Sequence, residues 1–336
     1  MKQPSKSESA MSTLPYPWHE STWQQLDRSW QAQRFPHALL LHGVPGLGKF
    51  VFAQWLAHTL LCEHRQQSLL PCGECASCKL NQAGSHPDLI VVRPEEDKTQ
   101  ISVDQIRTAN ESLTLTSTRN GYRVAIIEPA HQMTIAAANS LLKTLEEPSA
   151  NTLIIMVSSQ SGSLLPTLRS RCQQLGMLVP PVEETKHWIE QQFGKSVSNE
   201  LLGYAGNAPL RALEIAQGSY ENLRQSMILG LESITKGSTD IAQVAQAWAD
   251  DHVQERLRWL EYWLSGAIRQ KILRTVDSFT PVIDAETILG ANLSAMFRAL
   301  DKIREVTEQL RRTSLQRELV LMSLLMRIQQ SMQAKA

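Results

Sequence analysis

The architecture of this chain follows from eight consecutive residues, Gly43-Val44-Pro45-Gly46-Leu47-Gly48-Lys49-Phe50. They match the phosphate-binding loop (P-loop) pattern G-x-x-x-x-G-K-[ST] at every fixed position except the last. In an active nucleotide site that last position gives a hydroxyl oxygen to Mg²⁺, and Phe50 has no such oxygen. The segment 38–42 before the loop is apolar like a buried strand, and 51–61 after it is predicted to be a helix. The motif therefore predicts a P-loop fold that lacks a part needed for hydrolysis.

The first half of the chain alternates short apolar segments with helical ones. Four segments rich in Ile, Val and Leu are the predicted strands: 38–42, 88–92, 123–127 and 152–158. Continuous apolar runs are typical of parallel strands that are covered on both faces. Strands that alternate with helices predict a doubly wound α/β domain, here over residues 15–179. We expect its regular structure to end soon after Cys172, which is expected to be a buried core thiol.

The remainder of the chain is predicted to be helical. Pro180-Pro181 is the predicted linker, because prolines interrupt regular structure. We expect a small helical lid domain over 180–219 and an all-α domain over 220–336, where apolar residues recur at steps of three and four. Three tryptophans of the last region are expected to fill the core or an interface: Trp248, Trp259 and Trp263.

The composition limits the classes of function. The 336 residues include 33 basic and 33 acidic side chains, and this zero net charge argues against a chain that coats nucleic acid unaided. No apolar run approaches the roughly 18 residues of a membrane span. Residues 1–14 are polar and Ser-rich, so we expect a disordered leader rather than a secretory signal, with Met11 as an alternative start. We therefore expect a cytoplasmic protein with reduced thiols.

A cysteine cluster follows the predicted P-loop helix. Four of the five cysteines lie within 17 residues: Cys62, Cys72, Cys75 and Cys78. Tetrahedral zinc binds four thiolates at about 2.3 Å. Disulfides or idle thiols are the alternative, and a reducing compartment disfavours disulfides. Four protein ligands leave no open coordination position, so the spacing predicts a structural zinc module over 62–78, with Cys62 at the end of the helix.

The segment after the third predicted strand bears on hydrolysis. In an active P-loop ATPase such a strand ends in an Asp that helps to hold Mg²⁺, followed by a Glu that polarises water. Here strand 123–127 is followed by Glu128 and Pro129. Glu128 either lies near a metal or faces solvent as a strand-end acid, and Pro129 has no functional group. His131 is expected to be a surface or capping side chain rather than a base.

An arginine follows the fourth predicted strand. The helix before that strand is predicted to begin after Thr134 as N-cap and to end before Pro148. After the strand comes Arg171, which is placed to reach a phosphate on a neighbouring subunit, because a guanidinium binds phosphate oxygens bidentately. A surface salt bridge is the alternative interpretation of this arginine.

Two motifs give the sequence a resemblance to a known family. They read Leu141-Leu142-Lys143-Thr144-Leu145-Glu146-Glu147-Pro148 and Ser170-Arg171-Cys172. Together with four cysteines inserted after the P-loop helix, they resemble bacterial clamp-loader subunits of the AAA+ class. The resemblance runs from about Tyr16 to Met332. It implies a RecA-like AAA+ α/β domain with a zinc module, a small helical lid, and an all-α collar domain that joins five subunits into a ring.

The resemblance also implies roles for individual residues. Arg171 would be an arginine finger that completes, in trans, the ATP site of a neighbouring motor subunit. Arg211 could correspond to a lid arginine that senses phosphate in active relatives. The implied zinc ligands are Cys62, Cys72, Cys75 and Cys78. The residues that mark a degenerate nucleotide site, where ATP binding is not expected, are Gly43, Gly46, Gly48 and Lys49.

Phe50 and Pro129 favour one role within this family, a non-hydrolysing stator subunit of the DNA polymerase III clamp loader. Its implied partners are gamma/tau-type motor subunits and a delta subunit in a hetero-pentameric ring that loads the sliding clamp onto primed DNA. Nucleotidyltransferase activity would then belong only to the whole DNA-directed DNA polymerase. One alternative is an active ATPase motor subunit. Another is an independent zinc-containing DNA-binding module, against which the zero net charge speaks.

Overall fold

The structure is a computed structural model that describes residues 14–64, 69–119, 121–218, 220–237, 240–273, 285–312 and 316–333. Two compact units follow each other along the chain, and their boundary lies between Pro181 and Val182. Residues 1–13 of the predicted leader, including Met11, lie outside the described residues. The separation of the second unit into a lid and a collar stays a prediction.

A five-stranded sheet forms the centre of the first unit. Its strands are β1 Ala38–His42, β2 Leu89–Val92, β3 Arg123–Ile127, β4 Thr152–Ser158 and β5 Gln173–Gly176. The strand order is β2-β3-β4-β1-β5, and all neighbours are parallel. The register places Ala38 opposite Ile154 and Leu89 opposite Val124. The carboxyl end of β1, from which the P-loop leaves, therefore lies between the ends of β4 and β5.

Four of these strands confirm the sequence prediction, with β2 beginning one residue later than expected. Sequence reasoning missed β5, whose residues Gln-Gln-Leu-Gly contain no apolar run. An edge strand has a single neighbour, here β1, and only Leu175 of β5 is buried. The last strand of this unit ends at Gly176, soon after Cys172, and Cys172 is buried as expected. Burial raises the pKa of its thiol to about 12.

Helices cover both faces of the sheet. In the first unit they are α1 Glu20–Gln31, α2 Lys49–Leu61, α3 Ala76–Gln82, α4 Val103–Thr114, α5 Ile135–Glu146 and α6 Pro166–Arg169. Side chains alternate along each strand, so Leu40 and Met156 face the cluster under α4 and α5, whereas Leu39 and Ile155 face the other side. The predicted doubly wound α/β domain is confirmed.

The ends of α5 agree with its sequence signals. The Thr134 hydroxyl accepts a hydrogen bond from the backbone N–H of Ala137 at 3.2 Å, which confirms the predicted N-cap. The helix ends at Glu146, two residues before Pro148, because the residue before a proline disfavours the helical conformation.

The second unit is helical in its described residues. Its helices are α7 Val182–Phe193, α8 Asn199–Tyr204, α9 Pro209–Gln217, α10 Tyr220–Lys236, α11 Ile241–Trp248, α12 Val253–Leu273, α13 Ala285–Gly290, α14 Leu293–Arg312 and α15 Arg317–Gln333. One apolar cluster surrounds Ile189 and Leu202. A larger one contains Trp248, Trp259 and Trp263, which confirms these tryptophans as core residues. None of the helices described is long and apolar enough to cross a membrane.

Candidate functional site

The P-loop keeps the backbone path of a phosphate-binding loop. Gly46 and Gly48 have φ angles of +85° and +74°, a left-handed conformation in which other residues are strained. Gly43 passes close to a neighbouring strand end, and a Cβ atom there would lie 2.7 Å from the carbonyl oxygen of Met177. The glycines are therefore required by the shape of the loop, even though Phe50 replaces the hydroxyl residue.

Lys49 is turned back onto the loop that carries it. Its Nζ donates hydrogen bonds to the carbonyl oxygens of Gly43 and Val44, at 2.8 and 2.7 Å. The residue is only 6% exposed. Burial lowers the pKa of Lys49 to about 8, and the negative charge of Glu128 opposes that shift. The ammonium group that would hold phosphates in an active site is thus engaged with the loop itself.

An arginine cation lies against Phe50, the residue that replaces the metal-binding hydroxyl of the P-loop motif. The Cζ atom of Arg93 is 3.9 Å from the centre of the Phe50 ring, which is within the range of a cation–π contact. Its Nη2 lies 2.9 Å from Oε2 of Glu128. Arg93 follows β2 and Glu128 follows β3, so the two side chains meet where neighbouring strands end. Glu128 is therefore paired with a cation at the end of its strand.

The other residues predicted around the acid lie as follows. Pro129 takes the place after Glu128, so no carboxylate stands there to polarise water. His131 is half-buried, and its Nδ1 lies 3.1 Å from the hydroxyl of Ser158 at the end of β4. The histidine thus contacts the end of the sheet, and its expected role as a surface or capping side chain rather than a base stays a prediction.

Two aromatic residues before α1 hold the P-loop from outside. The indole N–H of Trp18 donates to the carbonyl oxygen of Leu47 at 2.9 Å, and Nε2 of His19 lies 2.8 Å from the same oxygen. His19 is fully buried, and its ring packs edge-on against Phe52. Burial lowers the pKa of His19 to about 4 despite the bond to Leu47, so the ring is neutral at pH 7. Neither residue belongs to a motif, and sequence reasoning missed both.

The four clustered cysteines meet as predicted. Their Sγ atoms all lie within 4.8 Å of one another. The Cys62–Cys75 and Cys72–Cys78 pairs are each 3.9 Å apart between sulfurs. Tetrahedral zinc with bonds of about 2.3 Å separates its sulfur ligands by roughly 3.8 Å. The arrangement therefore fits one tetrahedral metal ion of this kind.

Backbone N–H groups point at three of these sulfurs. The N–H of Cys72 lies 3.3 Å from the sulfur of Cys62, and those of Cys75 and Cys78 lie 3.4 Å from the sulfurs of Cys72 and Cys75. Such donors favour the thiolate form that metal binding needs. Cys62 is the C-cap of α2, as predicted, so the cluster joins that helix to the following loop.

A carboxylate next to the cysteine cluster accepts two hydrogen bonds. Glu63 follows Cys62, and its Oε1 accepts hydrogen bonds from the Ser77 hydroxyl at 2.8 Å and from Nη1 of Arg119 at 2.6 Å. Ser77 lies between Cys75 and Cys78 in the sequence, and its side chain is fully buried. Sequence reasoning missed this contact, because Arg119 lies far along the chain from Glu63.

The contacts described for Arg171 are with residues outside the P-loop. It stands between α6 and β5, and its guanidinium bonds Glu146 at the end of α5 and the carbonyl oxygen of Thr167. The side chain is 35% exposed. The surface salt bridge that was one interpretation of Arg171 is thus present.

Arg211 makes its described contact within the second unit. It lies in α9 with its Cζ atom 5.6 Å from the centre of the Tyr204 ring. That ring is stacked on Tyr220. The structure thus places Arg211 against an aromatic pair, and its correspondence to a phosphate-sensing arginine stays untested.

Comparison with known proteins places most of the chain in one family. The family profile described as "DNA polymerase III, delta subunit" matches residues 18–180. A second profile, "DNA polymerase III, delta subunit, C terminal", matches residues 220–330. The two matches together cover well over half of the sequence.

Individual relatives agree with these profiles. DNA polymerase III subunit delta' of Escherichia coli is 32% identical over 95% of this chain and 96% of its own length. The protein of the same name from Pseudomonas aeruginosa is 34% identical, over 76% of this chain and 78% of its own. A solved structure of a DNA polymerase III gamma subunit-related protein from Thermotoga maritima covers 92% of this chain and 98% of its own, with 17% identity and a TM-score of 0.42.

Proposed function

Since this chain belongs to the family of DNA polymerase III delta' subunits, we propose that it is the non-hydrolysing, or stator, subunit of a clamp loader. It joins gamma/tau-type motor subunits and a delta subunit in a hetero-pentameric ring. The ring opens the sliding clamp and places it on primed DNA as part of the replicative polymerase. The cytoplasmic location expected from the sequence stays a prediction.

The contact of Arg93 with Phe50 and Glu128 carries this proposal. Hydrolysis of ATP at a P-loop depends on Mg²⁺, which bridges the β- and γ-phosphate oxygens and neutralises developing charge. The guanidinium of Arg93 adds a positive charge beside Phe50 and pairs at 2.9 Å with Glu128, the acid that would help to hold the metal. The Phe50 ring offers no oxygen ligand. These features support a site that neither holds magnesium nor hydrolyses ATP.

The role in trans belongs to Arg171. The subunit's own site lacks the groups for hydrolysis, so a guanidinium on its surface contributes to ATP chemistry only at a neighbouring motor subunit. Partial exposure of Arg171 supports that role, since a fully buried arginine could not reach a partner. We further propose that the cysteine cluster holds one structural zinc, which would tie α2 to α3 without taking part in the reaction.

The first prediction concerns the isolated chain. Purified protein is expected to release phosphate from ATP no faster than a protein-free blank in a steady-state assay. Phe50→Thr alone is expected to leave that rate unchanged, because Pro129 still supplies no carboxylate and Arg93 still pairs with Glu128. Lys49→Ala is the matched control for contaminating activity. Robust turnover that disappears in Lys49→Ala would show a working site and refute the stator role.

A further inference from the structure

We propose that Glu146 is the positioning residue for Arg171, holding its guanidinium so that the free end faces the neighbouring ATP site. This inference rests on the proposed function, because it assigns a second residue to the arginine finger. Glu146 is the last residue of α5, and Arg171 follows α6. The two residues are 25 positions apart and meet only in the folded domain.

The geometry of the contact fixes the guanidinium on one side. Nε and Nη2 of Arg171 both approach Oε1 of Glu146, at 2.8 and 2.5 Å. On the other side, Nη1 donates to the carbonyl oxygen of Thr167 at 3.0 Å. Contacts on two sides of a planar group restrict both its direction and its rotation. A single contact would leave one of these free.

The donors that remain suit a phosphate. A guanidinium has five N–H donors, of which three are used by these contacts. Each terminal nitrogen has two N–H groups and makes one of these contacts, so Nη1 and Nη2 each keep one donor that can bind a phosphate oxygen. The side chain as a whole is 35% exposed, so it is not sealed inside the domain. The ion pair therefore orients Arg171 while both terminal nitrogens keep a donor for a phosphate.

The position of Glu146 is unfavourable for the helix that carries it. The C-terminus of a helix has partial negative charge, so a carboxylate in the last turn is mildly destabilising unless a cation compensates it. The neighbouring Leu145 and Leu168 are both buried in one apolar cluster, which fixes the ends of α5 and α6 relative to each other. Glu146 therefore does not stabilise its own helix, and its favourable contribution is the orientation of Arg171.

The test uses the clamp loader reconstituted with full-length variants of this chain and measures DNA-stimulated ATP turnover. Glu146→Ala is expected to lower kcat by about two- to fivefold, the range available to an exposed ion pair, with KM for ATP unchanged. Glu146→Gln keeps an oxygen acceptor for Nε, so its kcat is expected to lie between those of the wild type and Glu146→Ala. Glu147→Ala removes the adjacent exposed acid and serves as the matched control, with turnover expected to equal that of the wild type.

A double variant separates positioning from a general effect on the domain. In the Arg171→Ala background, adding Glu146→Ala is expected to cause no further loss, because there is no guanidinium left to position. If both losses multiply, or if Glu146→Ala raises turnover, Glu146 does not position the finger and the inference fails. If Arg171→Ala itself changes nothing in an intact assembly, the proposed finger is wrong. A loss in Arg171→Ala without one in Glu146→Ala overturns only the positioning role.

Discussion

Arg171→Ala is expected to leave this subunit folded and able to assemble while strongly lowering the ATP turnover and clamp-loading rate of the whole loader. An essential arginine finger contributes roughly 10³–10⁵ to the rate at its site, because it stabilises charge that develops during phosphoryl transfer. The loss for the whole assembly is expected to be smaller, since other motor interfaces keep their own fingers. Folding is expected to persist, because an exposed ion pair such as Arg171–Glu146 contributes only about 0–1 kcal/mol.

Two further variants sharpen this experiment. Arg171→Lys is expected to recover little activity, since an ammonium group keeps the charge and loses the planar fork that binds two oxygens. Arg107→Ala is the matched control, because Arg107 is also an exposed arginine paired with an acid, Asp104, on the same unit. DNA-stimulated phosphate release is the measurement, with assembly checked by gel filtration. Turnover that stays at the wild-type level in a complete assembly would reduce Arg171 to a surface residue.

Cys75→Ser is expected to release the metal and to destabilise the fold more than Arg171→Ala or Glu146→Ala does. Purified wild-type chain is expected to carry one zinc per molecule, measured by atomic spectroscopy on untagged protein prepared without chelators. Structural zinc binds to small peptides with about 10–16 kcal/mol, which is an upper limit for its contribution in a domain that has its own core. Loss of the metal is expected to lower the melting temperature and to loosen the chain between α2 and α3.

The fifth cysteine gives the control for this experiment. Cys172→Ser changes a buried thiol outside the cluster, so zinc content is expected to remain at one per chain whatever happens to stability. A chelator is expected to lower the melting temperature of the wild type and to have no further effect on Cys75→Ser. Wild-type protein with no bound metal, or Cys75→Ser with metal retained, would refute the zinc site.

Local signals predicted much of the fold. The strands β1, β3 and β4 were predicted with their observed bounds, because each is a buried parallel strand whose apolar run is written in consecutive residues. Thr134 and Cys62 were also placed correctly at helix ends, because a capping residue is adjacent in sequence to the helix that it caps. The edge strand β5 has a polar sequence and one neighbour, so nothing local distinguished it from a loop.

The candidate sites, like the strands, were predictable where their residues are close together in sequence. The P-loop and the cysteine cluster could be recognised because their members are close in sequence, where spacing constrains geometry directly. The sequence alone also showed that Phe50 and Pro129 replace residues needed for hydrolysis, since a motif defines which functional group each position must supply. It revealed Arg171 through a short motif, while leaving open whether that side chain was free or paired.

Only the tertiary structure decided which side chains act on these positions. Arg93 reaches Phe50 and Glu128 because β2 and β3 are neighbours in the sheet, and strand order is not encoded in either segment. Glu146 reaches Arg171 because α5 and α6 pack through one apolar cluster. Apolar burial is non-directional and sums over the whole domain, so the pairing of distant polar groups depends on how all the elements pack together.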